Sequence, residues 1–334
     1  MSTLLVIKQN VKMFVGRWQM VLVPLLKFLL SLLTLTVVNS TLGYMGRLKS
    51  FPLVLVAALL CSFMPWGFTA FVAVAFVVLH MYALSMECAL VMGAVFLLFY
   101  LLFSRFASRD QLAVILTPLC FYFHVPFAVP VTAGLLGNPG TAVSVGIGTA
   151  GWYMIRFVSM NEDLLSSLSD QEINQRVRTL IDGVMGNRDM RVLFIAFSLT
   201  VLAVTLIRRL STDHAWTIAI VAGSVIEILS VLVLDIMFNG SFSVFAVIAG
   251  TLAGTAAGFV VEFFCFNLDY ARQEKLQFED DDYYYYVKAV PKMAVAVPEK
   301  RVRRINRHRR EENYAEDYAE GYYEGYGENG SEQQ

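Results

Sequence analysis

The sequence predicts an all-α membrane protein, a polytopic transmembrane helical bundle of about eight spans with a largely disordered C-terminal tail. The chain of 334 residues is 57% hydrophobic and only 16% charged, whereas a soluble domain carries about 25% charged residues. Most charges lie in the loop near residues 160–191 and in the tail beyond residue 268. The apolar residues between them form runs of the length that crosses a membrane, ~20 residues for a ~30 Å hydrocarbon core.

Residues 1–20 are predicted to form an amphipathic helix on the cytoplasmic membrane surface. Apolar residues are interspersed here with the bases Lys8, Lys12 and Arg17, a pattern typical of helices that lie in the interface plane. We do not expect a cleaved signal peptide, because the first long apolar run begins only near Val21 and no small-residue cleavage site precedes a soluble domain.

Nine apolar runs follow, six in a first transmembrane group at 21–158 and three in a second group at 191–266. They lie at 21–43, 51–63, 67–84, 87–104, 111–129, 141–158, 192–207, 215–238 and 242–266. The run at 51–63 is short and bracketed by prolines, so it is either a re-entrant half-helix or part of one bent span with the next run. Basic residues near the N terminus and in the tail predict that both termini are cytoplasmic. An even number of crossings, about eight, is then required.

Residues 159–190 separate the two groups and are predicted to be an amphipathic helical loop. The segment from Ser169 to Glu172 has the spacing of a capping box. Six apolar residues then fall on one helical face, and Gly186 can end the helix: Ile173, Val177, Leu180, Ile181, Val184 and Met185. We expect this helix to pack on the bundle or the membrane interface; a gating helix is the alternative.

The tail begins with a juxtamembrane part at 267–310, where an acidic run precedes the strand-forming residues Tyr283–Tyr286. Met293–Val297 is a candidate second strand. A basic cluster follows, formed by Arg301, Arg303, Arg304, Arg307, Arg309 and Arg310. Such a cluster binds anionic lipid or a protein partner, and we do not expect nucleic acid to be its ligand; a merely solvated tail is the alternative. Residues 311–334 repeat Glu and Tyr with few aliphatic residues and are predicted to be disordered.

Two carboxylates inside one apolar run are the main candidates for a site. Glu227 and Asp235 both lie in the run from Ala215 to Phe238. Ionisable groups in a bilayer cost several kcal/mol and usually line an ion or substrate pathway. The alternative is a structural polar contact, with Asp235 at the membrane edge; Glu262, near the end of the next run, is expected at the interface.

Two further features accompany these carboxylates. Gly250, Gly254 and Gly258 form a small-residue face that permits close helix contact, within the chain or in a homodimer. Prolines and glycines from Pro118 to Gly140 predict kinked or unwound helices, which at membrane depth must be buried in protein or line a wet cavity. His124 lies in that segment and is a pathway candidate, although a lone histidine is more often structural.

Signals for catalysis or cofactors are weak. Residues 146–151 match G-x-G-x-x-G, but a dinucleotide site needs a βαβ unit around it, so helix packing is the better interpretation. The four cysteines form no C-x-x-C pair and are interpreted as small buried apolar groups. We expect no enzyme activity, no cofactor and no metal site.

The juxtamembrane strings Phe264–Tyr270 and Phe278–Lys292 resemble those of multi-pass membrane proteins of Gram-positive gut bacteria that carry no known activity. The resemblance covers a small part of the chain and implies a bacterial plasma membrane.

The leading hypothesis is therefore a transporter or transporter-like subunit with a polar intramembrane pathway. The alternative is a membrane scaffold that recruits a protein partner or lipid through its charged cytoplasmic tail. The lipid bilayer is a partner in both interpretations, and the sequence names no substrate.

Overall fold

A computed structural model of the chain describes residues 2–106, 110–167, 173–266, 274–280 and 283–289. These residues form thirteen helices and two strands. The helices are α1 (Ser2–Arg17), α2 (Gln19–Thr41), α3 (Phe51–Phe63), α4 (Trp66–Leu84), α5 (Met86–Phe106), α6 (Gln111–Tyr122), α7 (Ala128–Leu136), α8 (Thr141–Met160), α9 (Glu162–Ser167), α10 (Ile173–Met185), α11 (Arg188–Arg208), α12 (Ala215–Phe238) and α13 (Val244–Cys265). The strands are β1 (Glu274–Glu279) and β2 (Tyr284–Ala289).

Five of these helices, α2, α4, α11, α12 and α13, are long and apolar enough to cross a membrane. Shorter apolar segments lie in α3, α5 and α6. Many outward-facing side chains are also apolar: Met20 is 93% exposed, Phe245 81% and Ile236 80%. Exposed apolar surface of this kind is suited to contact with lipid. The chain is a membrane-embedded, α-helical protein.

Contacts between α2 and α3 define the first turn of the bundle. We call the end where α2 begins proximal and the end where α2 finishes distal. Ser62 Oγ, near the end of α3, donates a hydrogen bond to Pro24 O near the start of α2 (2.7 Å). Asn39 Nδ2, near the end of α2, donates to Leu48 O just before α3 (2.8 Å). α3 is therefore antiparallel to α2 and returns to the proximal end.

α4 runs in the same direction as α2. The hydroxyls of Ser31 and Thr69 are 3.3 Å apart, and His80 Nε2 lies 2.7 Å from Asn39 Oδ1. The run at 51–63 and the run after it thus form an antiparallel hairpin that turns at Met64–Pro65. The interpretation of these two runs as one bent span is wrong, because the chain reverses direction between them.

The other long helices continue to alternate in direction. Tyr100 of α5 packs against Phe71 of α4 with ring centroids 6.1 Å apart, and Ser159 Oγ of α8 donates to Thr41 O at the end of α2 (3.0 Å). Arg208 at the end of α11 donates to Gly137 O just before α8 (2.7 Å), so α11 runs opposite to α8. Ser241 Oγ after α12 donates to Asp189 Oδ2 of α11 (2.6 Å), and Thr217 Oγ1 of α12 donates to Glu262 Oε1 of α13 (2.7 Å). α5 and α13 consequently end at the proximal end, α8 and α12 end at the distal end, and α11 begins there.

α6 and α7 form a half-length hairpin that enters and leaves at the proximal end. Asp110, just before α6, accepts a hydrogen bond from Thr141 Oγ1, just after α7 (2.7 Å). The 12 residues of α6 rise about 18 Å at 1.5 Å per residue, and the chain reverses at His124, whose φ is 61°. The prediction of a single span at 111–129 is wrong, whereas the predicted break in this proline-rich segment is confirmed.

The two largest apolar clusters of the core lie on either side of α8. One combines α2, α4 and α5 with the loop helices, through Leu165, Leu180 and Val184. The other combines α6, α7 and α8 with α11, α12 and α13. The predicted helix after residue 172 is thus confirmed as α10. Leu180 and Val184 of its apolar face pack on the bundle, whereas Ile181 and Met185 are exposed. The predicted capping box at 169–172 lies outside the described residues.

The juxtamembrane segment contains the predicted strand around Tyr283–Tyr286, now seen as β2. Its antiparallel partner is β1, with Phe278 opposite Tyr285. The other candidate strand, at Met293–Val297, lies outside the described residues. So do residues 290–334 as a whole, including the arginines of the basic cluster.

Candidate functional site

Glu227 lies near the middle of α12, twelve residues after Ala215 and eleven before Phe238. Its side chain is 0% exposed. Neither carboxyl oxygen has a hydrogen-bond partner among the described residues. An ionised carboxylate buried without a partner costs several kcal/mol. This position therefore requires a bound proton, a cation or a rearrangement that brings a partner.

Apolar groups and small side chains surround Glu227. One turn before it, a Cβ on Gly223 would clash with the side chain of Val204 on α11, which shows how closely α11 and α12 approach. One turn after it, Val231 is fully buried in the same apolar cluster as Val247. The helices on this side of α12 thus exclude solvent from the carboxyl group.

A second unpartnered polar group lies at the same depth on α13. Ser224 Oγ of α12 is 2.7 Å from Thr255 Oγ1 of α13, which fixes the register of the two antiparallel helices. Thr251 lies one turn from Thr255 on the same face, opposite the turn of α12 that contains Glu227. Thr251 is 1% exposed, and its hydroxyl has no partner among the described residues.

The glycine face of α13 is directed against α7 inside the chain. A Cβ on Gly254 would lie 2.5 Å from Phe127 O and 3.1 Å from Ala128 Cα, and one on Gly250 would clash with the Phe127 ring. A Cβ on Gly258 would lie 3.1 Å from Val131 Cγ1. Because these glycines allow close approach, the tip of the α6–α7 hairpin lies beside the middle of α13.

On the side away from α13, α7 packs just as closely against α11. A Cβ on Gly134 would lie 2.7 Å from Val204 Cβ of α11, and Thr205 Oγ1 donates to Gly134 O (3.1 Å). At the proximal end, Arg208 donates to Leu135 O and, at 2.7 Å, to Gly137 O. These bonds satisfy carbonyls at the C-terminal end of α7 that the helix itself leaves free.

A cavity of about 370 Å³ lies between α6 and α7. Apolar side chains line most of it, including Leu116 and Val129, and its polar groups are contributed by Asp110, Gln111, Thr132 and Thr141. Val129, Thr132, Ala133 and Leu136 of α7 line the cavity, whereas Val131 faces α13; Ala128 does both.

The structure places Asp235 away from Glu227, at the distal end of α12. Asp235 Oδ1 accepts from Phe242 N (3.3 Å), and Gly240 N donates to Asp235 O (2.9 Å). Asn239, in the left-handed region with φ 51°, makes the turn between them. Asp235 therefore holds the connection between α12 and α13 and shares no contact with the central carboxyl group.

His124 lies at the tip of the α6–α7 hairpin, and its side chain is exposed. Its positive φ allows the chain to reverse, and His124 N donates to Phe121 O (3.1 Å). Its exposed position differs from that of Glu227, which is fully buried. The predicted pathway residues thus occupy three different places: the centre, the distal turn and the hairpin tip.

The residues 146–151, which match G-x-G-x-x-G, lie inside α8. A Cβ on Gly148 would lie 2.7 Å from Thr117 Cβ of α6, and one on Gly146 would lie 2.8 Å from a ring atom of Phe194 on α11. These glycines permit close helix packing. Among the described residues no group of three His, Cys, Asp or Glu side chains is arranged to hold a metal ion.

Sequence reasoning missed the hydroxyl groups of the α12–α13 interface, Ser224, Thr251 and Thr255. A signal was present, since the two threonines lie four residues apart on the helix after Glu227. The importance of Asp110 and Thr141 was also missed, because only the fold brings the two ends of the α6–α7 hairpin together.

No protein family, no curated protein and no solved structure matches this chain. The class of protein therefore follows from the fold and composition alone, as an α-helical membrane-embedded protein, and its function has to be inferred from the geometry around Glu227.

Proposed function

We propose that this protein is a membrane transporter or a subunit of one, and that Glu227 is the essential polar group of its pathway. The observation that carries the proposal is the complete burial of Glu227, neither of whose carboxyl oxygens has a hydrogen-bond partner among the residues that the structure describes. A group that serves only structure normally has its hydrogen bonds satisfied, whereas ionisable groups retained at membrane depth mark pathways.

The α6–α7 hairpin supports the same proposal. Discontinuous helices that meet inside the membrane are frequent in transporters, where they form substrate and ion sites. Here α7 lies against α13 and α11 through glycine contacts, so a small shift of α7 would change what surrounds Glu227. The hairpin is our candidate for the element that moves during transport.

The threading proposed for the bundle has eight crossings and one re-entrant hairpin. The crossings are α2, α3, α4, α5, α8, α11, α12 and α13, and the hairpin is α6–α7. An even number of crossings puts both ends of the bundle on one side, for which the basic N-terminal segment and tail favour the cytoplasm. We propose the plasma membrane of a bacterium as the location.

Glu227→Gln tests the role in transport because it retains side-chain volume and hydrogen bonding but removes the titratable group. We expect an unchanged thermal melt in detergent and a loss of activity, read as solute flux in reconstituted vesicles or as the growth phenotype of a deletion strain. Thr149→Val is the matched control, since Thr149 is a buried hydroxyl on α8 whose hydrogen bond within the described part of the chain goes to its own helix, at Val145 O (2.9 Å). Unchanged melting together with unchanged activity would contradict the proposal.

A scaffold function is the second candidate, favoured by the β1–β2 hairpin. Phe278 is 53% exposed, Leu276 49% and Val287 41%, and they share one face of the hairpin. A two-stranded sheet also leaves both edges available for pairing with another chain. If Glu227→Gln left activity intact, partner recruitment through this hairpin and the tail would become the leading function.

A further inference from the structure

The oxygen atoms around Glu227 are too few for a metal cation. Metal cations such as Ca²⁺ and Mg²⁺ are held by about six or more oxygen ligands. Among the described residues, side-chain oxygens at this depth on α12 and α13 come from Glu227, Thr251, the bonded pair Ser224–Thr255, and Ser230, which donates to Glu227 O (3.1 Å). A proton needs only one carboxyl oxygen and is stabilised by one acceptor nearby, a role that the free Thr251 hydroxyl can fill.

Other titratable groups are remote from this centre. The described residues of α7, and those of α11 between Arg191 and Arg208, carry none. On α12 and α13 the nearest carboxylates are Asp235, at the distal turn, and Glu262, at the proximal end. The proton occupancy of Glu227 is therefore set by burial and by the hydroxyls beside it.

The hydroxyls continue along one interface, which we call the α12–α13 seam and define by Thr217, Ser224, Thr251, Thr255 and Glu262. Two hydrogen bonds join the helices along this seam, which we call its rungs. The Ser224–Thr255 bond is the rung next to Glu227, and the Thr217–Glu262 bond is the rung at the proximal end. A hydroxyl both donates and accepts a hydrogen bond, so such a series can pass a proton when water joins its members.

One apolar layer interrupts the seam between these two rungs. Gly258 lies there, and a Cβ on it would be 3.3 Å from Ile220 Cγ2 and 3.1 Å from Val131 Cγ1. Both apolar side chains are 0% exposed. Val131 belongs to α7, so the α6–α7 hairpin contributes directly to the layer that separates Glu227 from Glu262.

We propose that the pathway carries protons, that Glu227 is its central proton-binding group, and that the α12–α13 seam connects Glu227 to the proximal end through a gate made by Ile220, Val131 and Gly258. The cycle transfers one proton from water beside Glu262 to a Glu227 oxygen, and the same oxygen later releases it to water. The inference rests on the proposed function and names the ion.

Hydrogen–deuterium exchange of the purified full-length protein, followed by infrared spectroscopy, tests the proposal without a known solute. The infrared carbonyl band of a protonated carboxylic acid shifts when its proton is exchanged for deuterium. The part of this band that is absent from the spectrum of Glu227→Gln is assigned to Glu227. We expect Thr255→Val to slow the exchange of this band by about tenfold or more, and Ile220→Ala to accelerate it by a similar factor. Thr149→Val is expected to leave the rate unchanged.

Thermal melts measured in parallel establish that each variant is folded. The inference is overturned if Glu227→Gln removes no acid band, or if Thr255→Val and Ile220→Ala exchange at the rate of Thr149→Val. Either result overturns the proton pathway alone. The proposal that the protein is a transporter is still supported if Glu227→Gln abolishes the flux of another solute. A loss of the acid band without any loss of activity would support proton binding and contradict the transport role.

Discussion

At the scale of single residues, the absence of a side chain at Gly254 determines how closely α13 approaches α7. The neighbours of this position are backbone atoms, Phe127 O and Ala128 Cα, which cannot move aside as the end of a flexible side chain can. Gly151 on α8 is different, because a Cβ there would meet only Phe96 Cε1 at 3.6 Å, an ordinary van der Waals contact.

Gly254→Ala is therefore expected to destabilise the protein, while Gly151→Ala serves as its matched control. Replacing glycine by alanine in a helix stabilises it by roughly 1 kcal/mol, and this gain is the same for both variants. The difference in stability between the two variants therefore measures the steric clash at Gly254, and such overpacking typically costs about 1–3 kcal/mol. Thermal melts in detergent measure it. A Gly254→Ala melting temperature equal to or above that of Gly151→Ala would show that α7 and α13 are not in tight contact.

At the scale of elements, α7 depends on neighbours more than on its own length. It has nine residues, too few to be stable as an isolated helix in water. Arg208 bonds carbonyls at its C-terminal end, Leu135 O and Gly137 O, and the guanidinium also lies 5.5 Å from the Trp216 ring. Arg209 makes one exposed bond, to Asn138 Oδ1 at 3.1 Å.

Arg208→Met should consequently destabilise the α6–α7 hairpin, because it leaves partly buried carbonyls without donors; hydrogen bonds to charged groups contribute about 1.5–3 kcal/mol each. Arg209→Met should have little effect, since its bond is exposed. Backbone hydrogen exchange across residues 128–136, measured by mass spectrometry, is the readout. Equal protection of this segment in the two variants would contradict the assigned role of Arg208.

Helices and the central acid could be predicted from sequence, but the contacts between elements could not. Glu227 was predictable because an acid in a 24-residue apolar helix is conspicuous. The break near Pro126 was also predictable, since proline removes a backbone donor. The return of α7 to the side where α6 starts was not, because it depends on the contact between Asp110 and Thr141, which are 31 residues apart. The spacing of Thr251 and Thr255 was a weak signal, because such hydroxyls commonly bond to their own helix.

At the scale of the whole molecule, the alternating helices and the half-length hairpin put α1 and the end of α13 at the same end. Lys8 Nζ of α1 donates to Phe266 O just after α13 (2.5 Å) and lies 5.2 Å from the Phe263 ring centre. Burial, together with the charge of Lys12, lowers the pKa of the Lys8 ammonium. The amine donates this bond in either protonation state, so the contact holds the N-terminal helix at the proximal end.

The proposed eight-crossing threading makes a prediction about sidedness that two single cysteines can test. Ser211, between α11 and α12, is exposed at the proximal end, and Ser50, before α3, is exposed at the distal end. In a variant without the four native cysteines, Ser50→Cys should react with an impermeant thiol reagent in intact cells, and Ser211→Cys should react only after permeabilisation. In this proposed orientation we expect the basic N-terminal segment to outweigh the distal bases, which include Arg47, Lys49, Arg156 and Arg188. The reverse labelling pattern would mean that the protein has the opposite orientation in the membrane, with Glu262 at the outer end of the α12–α13 seam. If both cysteines reacted in intact cells, the proposal that α3 crosses the membrane would be contradicted.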